Sequence, residues 1–473
     1  MKTWQQMMIG IILLTLVTIP VSADYPMFHA DTQRTGLAAG DGPVTEAELW
    51  STTTAEWADG SPVVADGRVY VTTWPDMDFG DGEELYLYCL DATTGIEIWK
   101  NPLGTGAGSV SGAAIADGKI FVGGTDNRLY CIDSTDGSTL WSETVDDHPY
   151  FGLSCSPPVD GGRVMVTARH SGTFHSYSLD GSPHWTFQTG GGVSQFTSPA
   201  AGGGLVYFAG NDSTLYCVDP GAKSEEWNVT LDGTIMSTPV IGAGIVYVTT
   251  GETLYALSAS DGSEVWNKNI DASFATPALD GDSLYAGAAD GLYRFAADTG
   301  NQGWHFACAK VDCSPVVANG IIYIATNEQT GKLYGVEAAT GTEVWRYTLP
   351  SAGGGTYAAF YSSSPAVSDG VLYIGAENNR FYAFGEGAAA APVEPEMIYS
   401  GAVTLTEGET FDFVPSNNAS ASYEMDRTTD IGALDAAATA GGFTFAASDE
   451  WYASFGSFLL EEIDGVANED WTQ

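Results

Sequence analysis

The chain runs to 473 residues and carries 60 acidic against 16 basic side chains, a formal net charge of −44. A surface this negative repels a phosphate backbone, so nucleic acid is excluded as a partner. The length is enough for more than one domain.

Residues 1–23 combine Lys2, an apolar stretch from Met7 to Val17 and the small-residue site Val21-Ser22-Ala23. This pattern predicts a secretory signal peptide and a secreted or cell-surface protein. No cysteine follows the site, which argues against a lipid anchor, and no later stretch is long and apolar enough to span a bilayer. In that compartment Asn211, Asn228 and Asn418 are glycosylation sequons. The acidic surface suits a salty or cation-rich exterior, an archaeal-type character.

From residue 24 to 385 the chain repeats. Trp50, Trp99, Trp141, Trp185, Trp227, Trp266, Trp304 and Trp345 recur at steps near 40 residues, a period that marks a repeat architecture. Each closes a similar phrase, such as LYCLDATTGIEIW before Trp99 or LYALSASDGSEVW before Trp266. Upstream in each unit a Ser/Thr-Pro pair opens an apolar run: Ser61-Pro62, Ser156-Pro157, Ser198-Pro199, Thr238-Pro239, Thr276-Pro277, Ser314-Pro315 and Ser364-Pro365, with Ser111-Gly112 in the second unit. The first unit reads as four short antiparallel strands, Pro62 to Ala65, Val69 to Thr72, Leu85 to Leu90 and Ile96 to Trp99. Asp66-Gly67 and Thr94-Gly95 mark the turns, because glycine tolerates the positive φ of tight hairpins. One such sheet cannot bury both faces alone, so the expected fold is all-β, an eight-bladed propeller of radially packed sheets. Trp50 has no opening before it and Ser364-Pro365 has no closing Trp after it. The strand at Leu49-Trp50 is therefore expected to complete the last blade as a clasp. The eight tryptophans are scaffold residues that dock one blade on the next, not catalysts.

The Asp, Gly and Trp of the repeated phrase resemble the tryptophan-docking motif of the pyrroloquinoline quinone (PQQ) repeat propellers, over about Trp50 to Gly385. The resemblance implies either a quinone-dependent dehydrogenase of alcohols or sugars, or a cofactor-free binding propeller of the outer-membrane assembly type. The motif builds blades and does not choose between them. The quinoprotein alcohol dehydrogenases carry an adjacent cysteine pair, and no Cys-Cys occurs here. No catalytic residue is carried over, PQQ is not expected, and the reading leans to a non-enzymatic, monomeric binding or scaffolding protein.

Candidate site residues lie where the repeat is interrupted. The loop from Trp74 to Glu84 holds Asp76, Asp78, Asp81 and Glu83, hard oxygen ligands suited to calcium, although a solvated acidic loop reads the same way. The loop after Trp345 carries Tyr357, Phe360 and Tyr361. If the ring closes at Trp50, these loops share one face, where Trp57, Trp74, Tyr150, Phe151, Phe196 and Phe274 also fall. Trp57, Trp74, Tyr357, Phe360 and Tyr361 are the candidates to receive an extracellular protein or glycan ligand, with packing of the loops as the alternative. His170 and His175 beside Arg169 make a weak zinc pattern. Cys89, Cys131 and Cys217 share one repeat position and read as small buried strand residues, whereas Cys155, Cys308 and Cys313 leave a disulfide open.

Residues 386–396 form an Ala-, Pro- and Glu-rich linker. Residues 397–473 predict a small α+β domain, with a strand pair from Thr404 to Val414, a helix capped at Thr429-Asp430 and running through Leu434 to Ala440, and a strand at Phe443 to Phe445. The strings DRTTDIGALDAAATAGGFTF and SDEWYASFGSFLLEEIDGVAN resemble the transcobalamin-like C-terminal domain family. The chain stops where that family continues, so the domain is expected to be truncated, and no ligand residue transfers to it.

Overall fold

The computed structural model describes residues 24–74, 84–105, 111–147, 152–192, 197–272, 274–350, 359–360 and 363–386, with the backbone of five short strands beyond residue 409. The chain divides into two compact units, Met1–Ala390 and Ala391–Gln473. The second contains the antiparallel pair Thr410–Phe413 and Tyr423–Asp426 and a sheet of Phe445–Ser448, Leu459–Ile463 and Val466–Ala467. The expected helix through Leu434 to Ala440, the linker beyond residue 386 and the signal segment lie outside the described residues.

The first unit is an all-β propeller of eight four-stranded antiparallel blades. In blade 1 the strands are Val63–Ala65, Arg68–Thr72, Glu84–Asp91 and Glu97–Thr105, from the central channel outward. The two middle strands are almost wholly buried, as sheets packed on both faces require, and the outer strand alternates with solvent. Blade 8 takes three strands from the end of the unit, Ala366–Ser368, Val371–Ala376 and Arg380–Gly385, and its outer strand, Glu48–Thr53, from the beginning. Trp50 pairs with Ala383 in that seam, so the first and last parts of the propeller share one sheet.

The turn-and-tryptophan phrase has a physical cause. In six blades the indole lies against a turn glycine of the following blade: Trp50 on Gly95, Trp99 on Gly137, Trp141 on Gly181, Trp227 on Gly262, Trp266 on Gly300 and Trp304 on Gly341. These glycines have φ between +66° and +89°, and a Cβ on any of them would come within 2.9 Å of the ring. Glycine is therefore required twice over, for backbone conformation and for space. The indole N–H donates to the carbonyl at the start of the same turn, from Trp50 to Ala92 at 3.2 Å, Trp227 to Ala259 at 3.0 Å and Trp266 to Ala297 at 2.9 Å. Trp345 donates instead to Pro43, just ahead of the clasp, at 3.0 Å. Two further seams depart from this pattern. The Arg68 guanidinium occupies the Ser134 carbonyl at 2.5 Å, and the Trp99 N–H is left buried without a partner. At the blade 3–4 seam Lys223, with φ of +60°, stands in the glycine position, and His184 rather than Trp185 contacts the Pro220 carbonyl at 3.1 Å.

The segment before the clasp travels around the whole channel. Tyr25 forms a two-way bridge with Val64 of blade 1. Pro26 accepts from Ile115, Thr32 from Ala201, Gln33 from Ile241, Thr35 from Leu279 and Gly36 from Val317, all at 2.7–2.9 Å. These contacts lie on blades 2, 4, 5, 6 and 7, at the inner strands whose channel-side edges would otherwise be unpaired. Blade 3 is reached by the Arg34 side chain, which donates to Ser156 O at 2.7 Å, and blade 8 by Asp41 O, which accepts from Gly370 at 3.2 Å. A strap of residues 25–41 thus touches the eight blades before the chain turns outward to become the clasp.

Candidate functional site

Where the strap meets the blade openings, the central channel holds a cavity. The cavity has a volume of about 740 Å³, including the solvent in its mouth. Phe28 of the strap lines it, together with Ser61, Gly112, Ser156, Ser198, Thr276, Ser314 and Ser364, the opening positions of seven blades. Trp74, Phe274, Asp59 and Asp312 add aromatic and acidic groups from the loops between blades and from the loop after the second strand of blade 1.

The Ser/Thr-Pro positions form a hydrogen-bonded ring. The backbone N–H of Ser156 donates to the Ser198 hydroxyl at 2.8 Å, and the relation repeats from Ser198 to Thr238, Thr238 to Thr276, Thr276 to Ser314, Ser314 to Ser364 and Ser364 to Ser61 at 2.9–3.2 Å. The ring is interrupted at blade 2, where Gly112 supplies no hydroxyl, and a Cβ there would come 2.8 Å from Ser156 Oγ. Sequence reasoning found the Ser/Thr-Pro positions but treated them only as strand starts; their recurrence at the period of the repeat was the signal for the ring.

The preceding position carries a second regular bond, made within each blade. Ser111, Ser237 and Ser363 each accept from a backbone N–H twelve residues on, at 2.8–3.0 Å. Cys155 and Cys313 do the same with sulfur, from Thr167 at 3.3 Å and Ala325 at 2.8 Å. All six cysteines are free thiols, so the disulfide left open for Cys155, Cys308 and Cys313 is not formed. Burial pushes the Cys313 thiol up to about 12, and the Cys155 thiol is raised for the same reason, which keeps both protonated and unreactive.

Trp74 lines the cavity and is joined to Trp57 by a backbone bond of 2.8 Å. Phe360 is fully buried in the largest hydrophobic cluster, against Gly331, so its ring packs inward instead of facing a ligand. Tyr357, Tyr361, Asp76, Asp78, Asp81 and Glu83 lie outside the described residues, as do Tyr150, Phe151 and Phe196. His170 is exposed, while His175 stacks on Tyr177 and burial lowers its pKa. Among the described residues no group of three or more His, Cys, Asp or Glu side chains is placed to hold a metal.

Charge at the mouth is unevenly compensated. Asp312 is held by Lys310 Nζ at 3.1 Å and by Asn327 Nδ2 at 2.8 Å, and the Lys310 ammonium sits 5.2 Å from the centre of the Phe274 ring. Asp59 is 3 % exposed and accepts from Ser363 N at 3.3 Å. Glu377 is 7 % exposed and its Oε2 has no hydrogen-bond partner. Burial, reinforced by the Asp59 charge, pushes the Glu377 carboxyl up to about 8. Between its ordinary value of 4.5 and about 8 the folded state holds a proton that the unfolded chain has released. This contribution to stability is complete below the lower value and is lost as pH rises through the window. Glu377→Gln is therefore expected to stabilise by about 1–2 kcal/mol at pH 9, after discounting for solvent screening, and by little at pH 4.5. Urea denaturation of both proteins at the two pH values checks this. Among the described lining residues, two carboxylates and no basic side chain would face the three carboxylates of a pyrroloquinoline quinone, a poor match for that group.

The family model described as outer membrane protein assembly factor BamB matches residues 83–220, 170–292 and 288–390. The outer membrane protein assembly factor BamB of Moranella endobia is 24 % identical over 217 residues, which cover 41 % of this chain and 51 % of that protein. The chain thus spans about half the length of this curated relative. Among solved structures, BamB from Moraxella catarrhalis superposes with a TM-score of 0.55 at 15 % identity, over 72 % of this chain and 99 % of that one. A quinohemoprotein alcohol dehydrogenase from Comamonas testosteroni gives a TM-score of 0.63 at 14 % identity, over 82 % and 83 %. At these identities the two structures share the propeller fold, and the fold alone does not carry an activity across.

Proposed function

From the premise that this chain belongs to the outer membrane protein assembly factor BamB family, we propose that it is an exported, non-enzymatic binding propeller acting at the cell exterior. The observation that carries this reading is the cavity ringed by the blade openings and touched by Phe28 of the strap, lined by hydroxyls that already serve the ring. Its ring hydroxyls already accept backbone N–H groups, and among the described lining residues no imidazole, thiol or amine stands to activate them. Relatives named as assembly factors support the reading, because assisting assembly calls for a surface that holds a partner. Export rests on the apolar segment and small-residue site of residues 1–23.

The test combines binding with turnover. Photo-crosslinkers placed at Trp74 and Phe274 are expected to capture partners from a cell-envelope preparation, and one placed at Ile96 on the outer rim is not. Incubation with pyrroloquinoline quinone, calcium, alcohols and aldose sugars is expected to leave a redox dye unreduced. Sustained dye reduction would overturn the non-enzymatic reading in favour of a quinone-dependent dehydrogenase.

A further inference from the structure

We propose that the central cavity receives the end of an uncharged carbohydrate chain, an inference that rests on the reading of the propeller as a binding module. A sugar presents hydroxyls that both donate and accept, together with apolar C–H faces. The cavity offers the complement of each. Ser61, Ser198, Thr276, Ser314 and Ser364 each accept a backbone N–H, and none donates to a protein acceptor among the described residues. Their O–H groups are thus left to serve ligand oxygens around the channel. Asp59 brings a carboxylate, a hydrogen-bond acceptor, to the mouth. Trp74 supplies an aromatic face, and Phe28 an apolar floor.

Charge selects against the other ligand classes. An anion meets the buried Asp59 carboxylate, and among the described lining residues no basic side chain stands opposite it, Lys310 beside them being paired with Asp312. A cation finds Asp312 already engaged by Lys310 and Asn327, and the Phe274 ring already covered by the Lys310 ammonium. A neutral, hydroxyl-rich ligand meets neither penalty. The blade openings encircle the cavity, a shape that suits a chain end and not a long groove-bound polymer.

Titration of the full chain with uncharged oligosaccharides of glucose, mannose and N-acetylglucosamine, followed by tryptophan fluorescence and calorimetry, tests the proposal. Saturable binding is expected to at least one, little changed between 50 and 500 mM salt, with uronic-acid oligosaccharides at least tenfold weaker. Trp74→Ala and Asp59→Asn are each expected to weaken binding at least tenfold with the melting temperature retained, while Ile96→Ala leaves it unchanged. Absence of binding to every uncharged glycan, or binding indifferent to both mouth substitutions, overturns the proposal. If a lysine- or arginine-rich peptide binds instead, lost on Asp59→Asn and weakened by salt, the carbohydrate assignment falls and the binding module stands. If neither glycans, peptides nor cross-linked partners engage the mouth, both fall.

Discussion

Replacing Arg34 with alanine is expected to destabilise the propeller by about 3–5 kcal/mol, the range for removing one member of a buried, hydrogen-bonded charged set. Arg34 is fully buried, and its guanidinium donates to Phe28 O at 2.6 Å, Ser156 O at 2.7 Å and Pro199 O at 3.2 Å. Desolvation pulls its pKa down to about 10, with the Asp31 charge acting in the opposite direction. The cost of burying the charge is met by three carbonyls, one on the strap and two ahead of blades 3 and 4. Alanine leaves those carbonyls without this donor and opens a void beside Phe28, whose ring lies 5.6 Å from the guanidinium carbon. Arg34→Lys keeps the charge but loses the planar fork, and about half the stability loss is expected. Urea denaturation of the three proteins decides the matter, because a loss under about 1 kcal/mol for alanine would mean that the strap is not integral to the ring.

Why the strap escaped the sequence while the clasp did not is a matter of which atoms do the bonding. The clasp carries Trp50, a member of a periodic series, and an unmatched member is visible in a list of spacings. The strap works through backbone oxygens of Pro26, Thr32, Gln33, Thr35 and Gly36, which impose no pattern on side chains. Only His29 and Arg34 leave a trace there, as polar groups 1 % and 0 % exposed, and burial is not readable in a short irregular segment. Cys155 and Cys313 were harder to read because their equivalents Ser111, Ser237 and Ser363 differ in name but perform the same acceptor role. For the site, Trp74 lines the cavity and Phe360 is buried, a difference residue type does not reveal, since an aromatic in an inserted loop looks the same whether it points outward or into a gap left by Gly331. Asp59 and Asp312 had no motif to identify them; the ring brings them to one cavity from loops more than 250 residues apart in the chain.

The second large effect concerns the seams themselves. Trp227→Ala is expected to cost about 3–5 kcal/mol, the range for removing a large aromatic from a packed site. Its indole is held between blades by the Ala259 carbonyl at 3.0 Å, by Gly262, whose Cβ-free surface lets the ring approach, and by Tyr207 with ring centres 5.8 Å apart. Trp185 occupies the same repeat position without the turn glycine, and His184 makes the contact to the next blade. Its remaining partners, Phe174 and Phe187, belong to its own blade, and Phe174 in turn stacks on Phe208 of the next at 5.2 Å. That stack persists when the indole is removed, so Trp185→Ala is expected to cost only about 1–3 kcal/mol. Equal losses for the two variants, measured under the same denaturant conditions, would show that simple burial of the indole dominates. A larger loss at Trp227 would show that the docking of ring on glycine turn, with its N–H on the carbonyl, is what makes neighbouring blades cohere.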